Sequence, residues 1–248
     1  DWVSTWGASP QTFFEDDLLP LPPTPDQFED QTIRMIARIS KGGDQVRVRF
    51  ENVFGTAPLV LGAAHIALHT GGGNIDPTTD RMLTFGGSPS ATIPPGAPAL
   101  SDPVDLEIGD LAEVAVSIYL PASTTAETYH RLGRQTTYVS GVGNYTDFAD
   151  FPTQDTTTTL QRFFLSTIDV LAKKNTRAIV TIGDSITDGF ASTVDANNRW
   201  PDQLAERLLG EGRSRKLSVV NEGISGNRTL NNEIGPNGLS RANRDIVA

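Results

Sequence analysis

The chain has 248 residues, a formal net charge of −10 at pH 7 and no cysteine. Its acidity argues against a nucleic-acid backbone as partner, and the lack of cysteine excludes disulfides, thiolate metal sites and a cysteine nucleophile. The composition is that of a globular protein with one large core or two modest ones. No apolar run reaches the roughly 18 residues that a membrane-spanning helix needs.

Residues 1–160 predict a β-sandwich-like or jelly-roll-like domain, because short β-branched segments alternate there with Gly, Pro and Asp. The segment 44–52 alternates apolar and charged residues, as a half-buried antiparallel strand does. The glycines of "KGGD" at 41–44 predict a hairpin that joins it to a strand at 32–40. A connector then extends from 161 to about residue 175. Further predicted strands lie at 58–70, 81–87, 91–95, 104–108, 111–121 and 134–141.

Residues 176–248 predict an α/β domain. A continuous apolar strand at 177–183 is followed by a helix at 199–212, a strand at 216–223 and the beginning of a helix at 237–248. An apolar strand without alternation is typical of a parallel sheet that is covered on both faces.

Two polar loops follow these two strands, "GDSITDG" at 183–189 and "NEGISGN" at 221–227. Because reactive groups of open α/β sheets collect at the carboxyl ends of strands, we expect the loops to face each other. Ser185 is a candidate nucleophile that needs a neighbouring base. The N–H of Gly226 is a candidate donor to the oxyanion that such a reaction forms.

These loops are similar to the first two sequence blocks of the GDSL, or SGNH, hydrolase family. "GDSIT" at 183–187 resembles the first block, and "NEGISGN" at 221–227 resembles the second. The segment 195–208 resembles the region between these blocks in secreted members, and the opening residues 1–11 resemble the start of members with a β-rich N-terminal domain. The resemblance implies that the α/β part is the first part of a flavodoxin-like parallel-sheet domain.

The resemblance also implies a carboxylic-ester hydrolase that works through an acyl-serine intermediate, with neither metal nor organic cofactor. Ser185 would be the nucleophile, and its N–H and that of Gly226 would form the oxyanion hole. Asp184 would support the turn. The substrate would be a small-molecule or glycan ester, as for a carbohydrate esterase or a lipase-like esterase.

Two blocks of the family have no counterpart in residues 228–248: a Gly-x-Asn-Asp block and a late Asp-x-x-His block. We therefore expect the asparagine, aspartate and histidine to come from the remainder of a longer hydrolase, either as a C-terminal fragment of the same protein held non-covalently or as a segment that continues beyond residue 248. Within the chain, His130 is the best alternative base. His65 and His69 lie four residues apart in one predicted strand, which also suits a metal ion, although no further ligand cluster accompanies them.

The alternative function is a carbohydrate-binding β-sandwich module with an inactive α/β remnant. Its sugar-stacking face would use aromatic side chains of the β-rich part, namely Trp2, Trp6, Tyr119, Tyr138 and Tyr145. A nucleotide-binding protein has little support, because no Walker or dinucleotide-binding pattern is present.

Secretion is the expected localisation. Asn144 and Asn227 stand in the Asn-x-Thr pattern of N-glycosylation. The chain starts at Asp1 rather than Met, which we interpret as the loss of a signal peptide.

Overall fold

The computed structural model describes residues 1–12, 25–210 and 216–247. The predicted helix end at 211–212 and residue 248 lie outside the described residues. The helical elements are a 3₁₀ turn (Pro77–Thr79), α1 (Ser185–Asp188), α2 (Trp200–Gly210), α3 (Gly238–Ala242) and a π-helical turn (Asn243–Val247). The strands are β1 (Trp2–Gly7), β2 (Gln11–Thr12), β3 (Gln27–Phe28), β4 (Gln31–Arg38), β5 (Gly43–Glu51), β6 (Leu59–Leu61), β7 (Ala63–Gly71), β8 (Asn74–Ile75), β9 (Arg81–Met82), β10 (Ala91–Ile93), β11 (Pro98–Leu100), β12 (Val104–Ile108), β13 (Glu113–Leu120), β14 (Thr124–Thr125), β15 (Thr128–His130), β16 (Thr137–Val142), β17 (Thr157–Thr159), β18 (Arg162–Phe163), β19 (Leu165–Leu171), β20 (Arg177–Gly183) and β21 (Leu217–Gly223).

The β-rich part is built around two antiparallel sheets. One has the strand order β1–β19–β5–β11, and the other has the order β17–β16–β4–β13–β7–β8. Their facing side chains form one hydrophobic core, to which Val48 and Ile168 contribute from the first sheet and Ile33 and Val116 from the second. Each such aliphatic side chain contributes about 1.5–3 kcal/mol when it is fully buried. The strand-rich, antiparallel character predicted for this part is confirmed.

The strand predicted at 44–52 is confirmed as β5, but the hairpin predicted at 41–44 is wrong. β4 pairs with β13 and β16, whereas β5 pairs with β11, β12 and β19, so the turn connects two sheets. The glycines are needed for close packing instead. A Cβ on Gly42 would lie 2.1 Å from the carbonyl oxygen of Ile108, and one on Gly43 would lie 2.7 Å from that of Leu171.

Residues expected to form a connector after position 160 largely belong to the β-rich part. β19 lies between β1 and β5 in the first sheet, and Phe163, Phe164 and Leu165 are buried in the shared core. Leu165 packs there because β19 is an inner strand of the first sheet, whereas Phe163 reaches the core from β18, which pairs with β15. A turn at residues 173–176 then connects β19 to β20. In this turn the N–H of Thr176 donates to the carbonyl oxygen of Lys173.

β20 and β21 are parallel and in register from Arg177 opposite Leu217 to Gly183 opposite Gly223. Both strands and the helix α2 between them are therefore confirmed. Among the described residues, β21 is the single strand paired with β20. The pair packs against the β-rich part, where the hydroxyl of Ser218 donates to the carbonyl oxygen of Ser4 at 2.7 Å. None of the helices in the described ranges is both long and apolar enough to span a bilayer.

Candidate active site

Ser185 is the first residue of α1, on a sharp turn that begins where β20 ends. Asp184 is the N-cap of this helix, and its Oδ1 accepts a hydrogen bond of 3.0 Å from the N–H of Ile186. A cap of this kind contributes about 1 kcal/mol. Gly183 has no room for a side chain, since a Cβ there would lie 2.3 Å from the Oγ1 of Thr187.

The second loop lies directly beside this turn. The N–H of Ile224 donates to the carbonyl oxygen of Gly183 at 3.0 Å, which continues the pairing of β20 with β21. Gly226 has a φ of +77°, and a Cβ on it would lie 2.6 Å from the Cδ1 of Ile234. The two loops that the sequence predicts to face each other are thus adjacent.

Ser185 and Gly226 line one cleft of about 250 Å³. Its other lining residues are mostly apolar and come from both parts of the chain: Arg131, Leu132, Phe190, Ser225 and Ile234. Within the described ranges, neither the N–H of Ser185 nor that of Gly226 has a hydrogen-bond acceptor. Two free N–H groups beside a half-buried serine hydroxyl are suited to hold an oxyanion next to a nucleophile.

Asp188, which the sequence reasoning did not single out, joins the two loops. Its side chain is 2% exposed. Its Oδ2 accepts hydrogen bonds of 2.7 Å from both the N–H and the hydroxyl of Ser225. Its Oδ1 lies 3.0 Å from the Nε2 of His130. An aspartate in a turn gives no sequence signal for such a contact.

His130 is buried and does not contact Ser185. Its Nδ1 lies 2.9 Å from the carbonyl oxygen of Ser9, and its Nε2 faces Asp188. Both ring nitrogens are therefore engaged, and neither is placed to take a proton from the serine. The interpretation of His130 as an internal base is wrong for this geometry, because β15 aims the ring at the side of α1 rather than into the cleft.

His65 and His69 lie on β7, but each has a different acidic partner. The Nδ1 of His65 is 2.8 Å from Asp80, and the Nδ1 of His69 is 2.7 Å from Glu113. The Nε2 of His69 is 2.9 Å from the carbonyl oxygen of Gly72. In the part of the chain that the structure describes, no group of three potential ligands is arranged to hold a metal ion. These contacts make both histidines members of partly buried hydrogen-bond networks.

Arg241 on α3 is a second residue that sequence reasoning missed. It is buried, and its guanidinium donates to the carbonyl oxygens of Glu222 at 2.6 Å and of Gly183 at 3.2 Å. It also donates to the Oδ1 of Asn227 at 2.9 Å. Arg241 therefore fixes the carboxyl ends of both parallel strands, directly beneath the loops that carry Ser185 and Gly226.

Charged groups surround Arg241 in the interior. Its Nη1 lies 2.7 Å from the Oδ2 of Asp245, and both side chains are almost fully buried. Burial raises the pKa of the Glu222 side chain well above its usual value, and the charge of Asp245 acts in the same direction. The cations Arg241 and Arg244 oppose this effect only in part.

The two predicted glycosylation sites have different surroundings. Asn144 is exposed, and its Oδ1 accepts hydrogen bonds from the N–H and hydroxyl of Thr146 at 3.1 and 2.8 Å. The side-chain nitrogen of Asn227 donates to the carbonyl oxygen of Pro236 at 2.7 Å, and its oxygen accepts from Arg241. A sugar on Asn227 would attach to the same nitrogen that donates to Pro236, at a side chain that also contacts Arg241.

The aromatic residues named for a glycan-binding face pack against separate neighbours. Trp6 is 7% exposed. The guanidinium of Arg47 stacks on Trp2 at 4.6 Å. Tyr138 contacts Phe151, and Tyr145 contacts Phe148. Tyr119 donates to the carboxylate of Asp30 at 2.5 Å. No observation here favours the binding module.

A parallel strand pair carries a serine on its strand-to-helix turn, and among the described residues the N–H of this serine and that of Gly226 in the adjacent loop have no acceptor, an arrangement that suits a hydrolase. Residues 181–248 match the model of the GDSL-like Lipase/Acylhydrolase family, which confirms the resemblance inferred from the two blocks. No curated protein matches the chain. The matched segment contains Ser185, Asp188, Gly226 and Arg241. The match supports a hydrolase of the SGNH family.

Proposed function

We propose that the protein is a carboxylic-ester hydrolase in which Ser185 is the nucleophile and an acyl-serine is the intermediate. The observation that carries the proposal is the cleft of about 250 Å³ shared by Ser185 and Gly226. The family match over residues 181–248 gives independent support for acylhydrolase chemistry.

In the first step, the Oγ of Ser185 bonds to the ester carbonyl carbon, and the electron pair of the C=O bond moves to its oxygen. The base takes the serine proton. The N–H groups of Ser185 and Gly226 hold the resulting oxyanion, which is charge that the ground state lacks. When the C=O bond re-forms, the bond to the alcohol oxygen breaks, and that oxygen receives the proton from the base. Water then repeats the sequence on the acyl-serine and releases the acid.

The base is the part that the described residues do not supply, because none of the three histidines contacts Ser185. We propose that a C-terminal fragment of the same protein supplies an asparagine as third oxyanion donor, and an aspartate and histidine as the base. It would extend the parallel pair into a flavodoxin-like sheet.

The surface beside β20 supports this addition. Ile182 is 38% exposed, Leu239 is 69% exposed and Ile246 is 46% exposed. Together with Gly183 and Asp184 they line an open groove of about 410 Å³. A parallel strand with a free edge and an apolar flank is normally covered by further chain.

The cleft suits a small ester. Leu132, Phe190 and Ile234 form apolar walls, and Leu132 comes from the β-rich part. The substrate class in the proposal is therefore a small-molecule or glycan ester, as for a carbohydrate esterase or a lipase-like esterase. The proposal includes secretion of the enzyme, which the exposed Asn144 supports.

Hydrolysis of p-nitrophenyl acetate tests the proposal. The assay compares residues 1–248 alone with a natural preparation of the protein, whose components are identified by native and denaturing mass spectrometry. We expect activity in a preparation that contains a second polypeptide, and Ser185→Ala to lower kcat by at least about 10³-fold, as loss of a catalytic serine does. Ser90→Ala, at an exposed serine of the β-rich part, is the control. Hydrolysis that survives Ser185→Ala overturns the assignment, and activity of residues 1–248 as a monomer overturns the need for a fragment.

A further inference from the structure

We propose that Asp188 and His130 are positioning residues that hold the Gly226 loop in register with Ser185; this inference rests on the proposed function. Asp188 lies three residues after Ser185, in the same short helix. It contacts the loop that carries the second oxyanion donor. It also contacts a histidine of the β-rich part. One carboxylate therefore connects the nucleophile turn, the oxyanion loop and the other part of the chain.

The Asp188 side chain fixes the loop immediately before Gly226. Its Oδ2 accepts from both the N–H and the hydroxyl of Ser225, each at 2.7 Å. These two hydrogen bonds restrain the backbone and the side chain of Ser225 together. The next N–H along the chain is that of Gly226, which has no acceptor among the described residues. The free N–H of Gly226 thus directly follows the hydrogen-bonded N–H of Ser225 in the chain.

Backbone packing brings the same two segments together. A Cβ on Gly223 would lie 2.3 Å from the backbone nitrogen of Asp188, so α1 and the end of β21 are in direct contact. Asp188 can reach Ser225 only because position 223 is glycine. The contact between Asp188 and Ser225 therefore depends on close backbone packing at Gly223 as well as on the side chains.

His130 holds the other oxygen of Asp188. Because the Nδ1 of His130 faces the carbonyl oxygen of Ser9, this nitrogen carries a proton. The Nε2 of His130 and the Oδ1 of Asp188 lie 3.0 Å apart. Because both atoms are acceptors when unprotonated, this contact is a hydrogen bond only when a second proton lies between them. The ring is 4% exposed and the carboxylate 2%. Both oxygens of the buried Asp188 side chain therefore have a hydrogen-bond partner, as buried polar groups require.

This arrangement predicts an effect on catalysis that differs from general destabilisation. The oxyanion forms during the reaction, so a displaced Gly226 N–H weakens binding of the transition state and not of the ester. In the preparation that hydrolyses ester, we expect Asp188→Ala to lower kcat about 100-fold, with KM changed less than about threefold. We expect His130→Ala to lower kcat in the same way but less, because the Ser225 contacts remain.

Asp188→Asn is the conservative variant. Its amide oxygen can accept from Ser225, and its amide nitrogen can donate to the Nε2 lone pair of a neutral His130. We expect it to restore kcat to within about tenfold of the wild type. Asp195→Ala is the matched control, because the Asp195 carboxylate likewise accepts from the N–H and the hydroxyl of one residue, Thr136, at 2.6 and 2.7 Å. Asp195 does not line the cleft, and its substitution should leave kcat unchanged.

Amide hydrogen exchange of Ser225 and Gly226 gives a readout that does not need activity. We expect faster exchange at Ser225 in Asp188→Ala, and near wild-type exchange in Asp188→Asn and Asp195→Ala. If the wild type hydrolyses no ester, the proposed function fails, while the exchange measurement still tests whether Asp188 holds the Gly226 loop in place. If the wild type is active and Asp188→Ala retains its kcat or its Ser225 exchange rate, the positioning role is overturned.

Discussion

The guanidinium of Arg241 and the carboxylate of Asp245 form an ion pair of 2.7 Å, with 0% and 1% of the two side chains exposed. Asp245 also accepts from the hydroxyl of Ser9 at 2.6 Å. Arg241 reaches the carbonyls at the ends of both parallel strands. The pair therefore connects the C-terminal helical segment, the strand ends and the N-terminal segment in one buried network.

Replacement of Arg241 by Met removes the cation while it keeps most of the side-chain volume. Asp245 would then keep Arg244, at 2.6 Å, as its cationic partner among the described residues, and three backbone or amide oxygens would lose a donor. Breaking a buried pair in this way costs about 3–5 kcal/mol. We expect urea denaturation to show a loss of this size for Arg241→Met. Arg207→Met, at an exposed position of α2, is the control and should stay within about 0.5 kcal/mol. A loss below about 1 kcal/mol for Arg241→Met would contradict the structural role.

Glu222 makes stability depend on pH. Its pKa is raised in the folded protein by burial and by Asp245. The folded state therefore binds the proton more tightly, and its stability falls as pH rises from the unfolded pKa through the folded one. We expect Glu222→Gln to have nearly the wild-type Tm at pH 4 and a Tm several degrees higher at pH 8. Glu107→Gln, at an exposed position, should show no such difference. Equal shifts at both pH values would argue against the buried carboxyl as the cause.

The contact between His69 and Glu113 is limited by pH on both sides: at the upper limit its stabilisation is lost as pH rises, as for Glu222, and at the lower limit it is lost as pH falls. Burial lowers the pKa of His69, but hydrogen bonds to Glu113 and Gly72 more than offset this, so the pKa is raised overall. Hydrogen bonding to His69 lowers the pKa of Glu113. The histidine's contribution is full below its unfolded pKa and is lost as pH rises through the folded one. The glutamate's contribution is full above its unfolded pKa and is lost as pH falls through the folded one.

His69→Gln should therefore reduce the free energy of unfolding most between about pH 4.5 and 6.5, the ordinary pKa values of a glutamate and a histidine side chain. Because Glu113 is 31% exposed, we expect a loss of about 1 kcal/mol or less, and a smaller loss at pH 9. Chemical denaturation at pH 5.5 and 9 measures both values. The same loss at both pH values would exclude the ionic part of the contact.

Gly226 and Gly96 allow backbone strain to be separated from crowding. Both have a φ of +77°, but a Cβ on Gly96 meets no atom within 4 Å, whereas one on Gly226 meets Ile234. Gly96→Ala should cost roughly 1–2 kcal/mol from left-handed backbone alone. Gly226→Ala should cost more and, in the ester-hydrolysing preparation, should lower kcat by at least about tenfold. A Gly226→Ala enzyme with wild-type kcat would contradict the oxyanion role of this loop.

Expression through a secretory pathway would test the two Asn-x-Thr patterns. Asn144 is exposed, while Asn227 donates to Pro236 and accepts from Arg241. We expect a glycan on Asn144 and little on Asn227, as measured by peptide mass spectrometry after glycosidase treatment. Asn144→Gln should abolish the glycan. A fully modified Asn227 in folded protein would mean that the side-chain contacts form differently there.

The sequence predicted the site's scaffold better than its internal connections. Runs of apolar residues predicted both parallel strands, and their order placed the Ser185 and Gly226 loops side by side. The strands with which β4 and β5 pair were not predictable from the turn at 41–44. Glycine in a turn specifies local conformation and not the partner strand. The stretch 58–70 was predicted as one strand, but it forms two, β6 and β7, with Gly62 between them.

Asp188 and Arg241 were missed for a different physical reason. Two of Arg241's acceptors are backbone carbonyls, which every sequence offers alike, and the Ser9 hydroxyl lies 232 residues earlier in the chain. Asp188 depends on His130, which lies 58 residues earlier in the chain and is aimed by the β-rich part. Residue type alone carries no information on such distant neighbours. Sequence patterns report local periodicity, whereas these contacts arise only when the two parts of the chain pack.

The position of β1 also has a consequence for synthesis. β1 pairs with β19, and the hydroxyl of Ser4 donates to Asp169, 165 residues later. At translation rates of about 5–20 residues per second, this first strand waits on the order of ten to thirty seconds for its partner. Its apolar residues Val3 and Trp6 are unprotected in that interval. A nascent chain of this protein should therefore bind chaperones through the β1 segment and release them only after residue 171 has left the ribosome.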